Sequence, residues 1–65
     1  YMVKINGTEK ELAGMTLSAY LATTDYDPGQ IAVERNGEIV PKARYSQVVL
    51  QEGDNLEVVS FVRGG

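Results

Sequence analysis

"IAVERNGEIVP", residues 31–41, is the clearest hairpin in the chain. Residues 31–35 form one arm and residues 38–40 the other. Asn36-Gly37 supplies the turn, because a two-residue hairpin needs φ > 0 at both central positions and Asn-Gly tolerates it. Pro41 closes the second arm, since it has no N–H to give to a ladder.

Upstream, "AGMTLSAYLATTD" reads as a helix capped by Thr16, whose hydroxyl can take a free N–H of the first turn. Leu17, Tyr20 and Leu21 make one apolar stripe, with Thr24 at the next helical spacing. The helix is expected to end near Thr24 or Asp25, because Pro28 and Gly29 follow. At two or three turns it would not stand alone in water, so it has to lie on a sheet. Further upstream, Val3 and Ile5 share one face of a short strand and Lys4 takes the other. A second Asn-Gly pair, Asn6-Gly7, turns the chain into residues 9–12, an expected edge strand. Met2 reads as the natural start, and Tyr1 ahead of it is set aside.

Downstream of the hairpin, residues 42–47 suggest a connector with one turn of helix. Residues 48–50 are a brief apolar segment, "QEGD" turns through Gly53, and residues 55–62 read as a long final strand. The order is β-β-α-β-β-turn-β. The economical arrangement is two hairpins joined by a helix, with the last strand paired between earlier ones. That is the α+β order of the β-grasp, ubiquitin-like fold: a mixed four- to five-stranded sheet with one helix on one face. Residues 1–63 are expected to form this domain and residues 64–65 a flexible Gly-Gly tail.

Bulk properties narrow the function. A chain of 65 residues buries only about 60% of its unfolded surface. With neither Cys nor His, disulfide and thiolate ligands are excluded and no zinc site is expected. The commonest nucleophile and general base are missing too, which argues against an enzyme acting alone. The net charge is −3, and the six basic residues are spread out, so no nucleic-acid face is expected. A partner with a basic face suits the electrostatics better. No apolar run approaches a membrane span and no signal-peptide pattern opens the chain, so a soluble, cytoplasmic protein is expected.

The final strand sorts by face: Leu56, Val58, Ser60 and Val62 on one side, Glu57, Val59, Phe61 and Arg63 on the other. Leu56 and Val58 are the natural core pair under the helix. Glu57 then marks the second face as exposed, which puts Val59 and Phe61 in solvent just before the tail, as a contact surface. Gly64 and Gly65 have no side chains and accept any backbone angle, so they can thread a narrow channel and deliver the α-carboxylate of Gly65. Activated by ATP as an acyl-adenylate, that carboxylate becomes an electrophile. Sulfide would convert it to a thiocarboxylate.

The hairpin "VERNGEIVP", the "KARY" connector with Tyr45, the "EGD" turn, the "EVVSFV" strand and the terminal Gly-Gly resemble the ThiS-type sulfur carriers of thiamine biosynthesis. The resemblance implies a β-grasp protein whose Gly65 carboxylate is adenylated by a ThiF-type adenylyltransferase that uses ATP. The carrier itself would bind no cofactor and no metal. A cysteine desulfurase relay would supply sulfur, and thiazole synthase (ThiG) would consume it. Gly64 and Gly65 would carry the tail function. Val59, Phe61 and Arg63 would serve docking, Arg63 being a departure from the small or uncharged residue common in related carriers. A free monomer is expected. Three rival readings share the fold: a MoaD-type carrier supplying sulfur to molybdopterin, a β-grasp interaction module without covalent chemistry, and ubiquitin-like tagging of other proteins through the same tail. Asp25, Asp27, Glu52 and Asp54 sit in turns and read as structural, with Asp54 capping the turn at Gly53.

Overall fold

The computed structural model describes residues 1–61. Its strands are β1 (Val3–Ile5), β2 (Thr8–Lys10), β3 (Ile31–Arg35), β4 (Glu38–Ile39) and β5 (Asn55–Ser60), with the helix α1 (Leu17–Leu21) between β2 and β3. They form a five-stranded mixed sheet in the order β2-β1-β5-β3-β4. β5 is parallel to β1 and antiparallel to β3, so the last strand lies at the centre, as the element order suggested.

Both hairpins turn through Asn-Gly with both residues at positive φ: Asn6 at 50° and Gly7 at 86°, Asn36 at 53° and Gly37 at 88°. That twist matches the right-handed twist of the flanking strands. Alternation then fixes the faces. Val3 and Ile5, Ile31 and Val33, and Leu56 and Val58 point into one core with Leu17, Tyr20 and Leu21 of α1. Val40, Tyr45 and Leu50 complete it from the connecting segments. Each large aliphatic side chain removed from water there contributes about 1.5–3 kcal/mol, and this burial, not helix propensity, holds a five-residue helix in place.

Element ends differ from the sequence expectation in four places. α1 stops at Leu21, not Thr24. The hydroxyls of Thr23 and Thr24 donate to the carbonyls of Tyr20 and Leu21 at 2.6 and 2.7 Å, and their own N–H groups bond the same carbonyls. The last turns tighten in consequence. β2 covers Thr8–Lys10 rather than residues 9–12, because the two-residue turn forces Ile5 opposite Thr8 and β1 has run out by Val3, opposite Lys10. β4 stops at Ile39, although the Val40 N–H still donates to the Val33 carbonyl. β5 stops at Ser60, opposite Ile31, the first residue of its partner β3. Val62, Arg63 and the expected flexible Gly64-Gly65 tail lie outside the described residues. The connector does contain a single 3-10 turn, Lys42–Arg44. Residues 48–50 run beside the helix entrance, where Thr16 bridges Val49 and Leu50 is buried.

Candidate functional site

The sheet face away from α1 is open. Ala32 of β3 lies directly opposite Val59 of β5, and two residue pairs further on the Phe61 N–H donates to the Gln30 carbonyl at 3.1 Å. Val59 is 58% exposed and Phe61 57%, so the expected contact residues do stand in solvent on one face. Ala32 extends the strip and is exposed as well. Ser60, placed on the core side by alternation, is exposed at the margin of the sheet.

The next pair along the same face is Glu34 opposite Glu57, both exposed. Like charges directly opposite each other weaken a sheet. Two carboxylates beside an apolar strip therefore do nothing for the isolated fold, and they suit a partner with a basic rim. The sequence placed Glu57 on this face. It could not place Glu34 beside it, because only the β3–β5 register brings the two together.

Of the other singled-out carboxylates, Asp27 and Asp54 bond within the fold. Asp27 accepts the Gly29 N–H at 2.9 Å and caps the short turn Pro28–Gln30. Asp54 accepts the Gln51 N–H at 2.9 Å, as a turn cap should. It does more than that. It is buried, pairs with Arg35 Nε at 2.9 Å, and accepts from the Asn36 side-chain amide at 3.0 Å. Burial pushes its carboxyl up, but the Gln51 N–H, the Asn36 amide and the Arg35 guanidinium outweigh that and hold it below the usual carboxylate range. Tyr20 is a core residue. Burial, with Tyr26 nearby, pushes its phenol up, and burial does the same to Tyr45. Among the described residues, no group of three or more acidic, His or Cys side chains could hold a metal ion. None of their helices is long and apolar enough to cross a membrane.

Gly64, Gly65 and Arg63, the expected tail residues, fall outside the described residues. The described face delivers the chain to them at Phe61. Comparison with known proteins extends over the whole tail: residues 3–65 match the ThiS family. The chain belongs to the ThiS family. It is 39% identical over 67 aligned positions to the sulfur carrier protein ThiS of Bacillus subtilis (strain 168), covering 98% of this chain and 100% of that protein. It is 50% identical over 62 residues to a thiazole synthase of Paramagnetospirillum magneticum, covering 94% of this chain but 19% of that protein. The chain thus spans about a fifth of the length of that relative. The crystal structure of the thiamine biosynthesis protein (ThiS) from Geobacter metallireducens superposes with a TM-score of 0.79 over 100% of both chains at 23% identity. That likeness confirms the β-grasp fold of the ThiS family.

Proposed function

We propose that this ThiS-family chain is a sulfur carrier whose reactive group is the α-carboxylate of Gly65. The observation that carries the reading is the family match running through residue 65, with its terminal Gly64-Gly65. In the proposed sequence, a Gly65 carboxylate oxygen attacks the α-phosphorus of ATP on a ThiF-type adenylyltransferase, and pyrophosphate leaves. The terminal sulfur of a persulfide from a cysteine desulfurase relay attacks the acyl carbon and AMP leaves, giving an acyl disulfide. A reducing thiol then attacks the relay's sulfur, which leaves as a mixed disulfide with that thiol and frees the thiocarboxylate. The resulting thiocarboxylate carries one sulfur in place of one oxygen and passes it to thiazole synthase (ThiG) for the thiamine thiazole ring.

The division of labour follows from the chain's chemistry. The protein brings no Cys or His, so activation and sulfur delivery belong to partners. Its own task is to dock and to present the tail. The strip of Ala32, Val59 and Phe61 is the docking surface in this reading, and Glu34 with Glu57 selects a basic rim. Gly64 and Gly65 offer no Cβ to obstruct a channel, and Arg63 adds a positive charge just before them. The thiazole synthase likeness favours thiazole formation over molybdopterin as the destination of the sulfur.

The test is intact-mass analysis after incubation with ATP, the adenylyltransferase and a sulfur source. The expected product has one oxygen exchanged for sulfur at the last residue, and a chain lacking Gly65 gives none. An unchanged mass under conditions that convert the Bacillus subtilis carrier would refute the reading.

A further inference from the structure

The chain enters β3 through "DPGQ", residues 27–30. No residue from 28 to 30 has an N–H left for a neighbouring strand. Pro28 has none to give. The Gly29 N–H donates to the Asp27 carboxylate at 2.9 Å, and the Gln30 N–H donates to the Asp27 carbonyl at 2.8 Å. The turn Pro28–Gln30 is exposed and buries none of its side chains, so the core does not call for it.

These residues lie where the β3–β5 ladder would continue. Ile31 is opposite Ser60, and the Phe61 N–H donates to the Gln30 carbonyl at 3.1 Å. A hydrogen-bonded antiparallel pair exchanges two such bonds. Gln30 cannot return the second, because Asp27 holds its N–H. The next hydrogen-bonding position in the same register sets Pro28 against Arg63, where the donor is missing altogether. The β3 side therefore offers no donor to the chain beyond Phe61. What this changes is reach. Four residues follow Phe61, and fully extended they span at most about 14 Å. A ladder continued through Arg63 would leave only Gly64 and Gly65, about 7 Å.

We infer that the turn from Asp27 to Gln30 is a ladder terminator that sets the reach of the Gly65 carboxylate. Asp27 and Pro28 are positioning residues. Neither touches the reacting atoms, and each acts by withholding a donor from the strand that leads into the tail. The inference rests on the carrier reading, because reach matters only where a partner has to receive Gly65.

The test pairs amide hydrogen exchange with adenylation kinetics on the full chain, read as pyrophosphate release by a ThiF-type adenylyltransferase. Combining Asp27→Val with Pro28→Thr removes the cap and supplies the missing N–H. The Arg63 amide should then exchange more slowly than in the wild type, and the urea midpoint should not fall. Turnover should drop about tenfold in kcat with KM within about twofold, because a misplaced reacting group costs rate more than affinity. Two extra residues inserted between Arg63 and Gly64 of the double variant should restore kcat. Asp27→Asn, whose amide oxygen can still accept the Gly29 N–H, should behave as wild type throughout. Unchanged Arg63 exchange, unchanged kcat, or a loss of kcat that the insertion does not restore would overturn the inference. A wild-type chain that releases no pyrophosphate would refute the carrier reading itself, a result distinct from normal turnover by the double variant, which refutes the terminator alone.

Discussion

The two turn asparagines do more than tolerate positive φ. Asn6 accepts the Val58 N–H at 2.8 Å and donates to the Val58 carbonyl at 3.2 Å, extending the β1–β5 pairing with a side chain. Asn36 accepts the Asn55 N–H at 2.9 Å and donates to Asp54 at 3.0 Å. Asp could accept these bonds but not donate, and Gly could do neither. Asn36→Gly keeps the turn and loses both bonds, an expected cost of about 1–3 kcal/mol. Asn36→Ala adds the strain of a β-carbon at positive φ, roughly a further 1 kcal/mol. Urea unfolding should rank wild type above Gly above Ala, and Ala at or above Gly would contradict the backbone argument. Asp54 predicts a pH dependence. Its folded carboxyl lies below the unfolded value of 3.8, so its contribution is complete above that pH and is lost as pH falls through the folded value. Urea midpoints should therefore drop on acidification below about pH 4. Asp54→Asn should start lower at neutral pH and fall less steeply.

Among the elements, α1 depends most on its surroundings. Thr16 accepts the Ala19 N–H at 3.1 Å, so the sequence placed the cap correctly. Thr16→Ala should cost about 1 kcal/mol, and Thr16→Ser most of nothing. Equal losses from both would assign the effect to the Thr16 methyl group instead of its hydroxyl. The helix end was not legible in the same way. Thr23 and Thr24 continue a helical pattern on paper, and only the hydroxyl bonds back to Tyr20 and Leu21 show the tightening. β5 is the converse case. Its two faces could be read from period-two alternation, with Leu56 and Val58 buried and Val59 and Phe61 exposed as expected. Its end could not, because that is set by where β3 begins.

At the scale of the molecule, one face of the sheet builds the core and the other is available for contact. Replacing Val59 and Phe61 together by Ser should therefore leave stability within about 1 kcal/mol, as exposed substitutions do. The same variant should bind the adenylyltransferase at least about tenfold more weakly, the loss expected when central apolar contacts are truncated. Calorimetric titration beside urea unfolding separates the two effects, and unchanged affinity would remove this face from the docking surface. The sequence by itself determined the paired Asn-Gly turns, the helix stripe and which residues of β5 face the core, Leu56 and Val58, and which face solvent, Val59 and Phe61. These follow from φ tolerance and side-chain alternation, which are settled among near neighbours in the chain. Only the tertiary structure decided that Glu34 stands against Glu57, that Asp54 gathers Arg35 and Asn36, and that Phe61 meets Gln30. Those meetings depend on strand register and on segments brought together by burial of a common core, and local residue pattern carries no record of either.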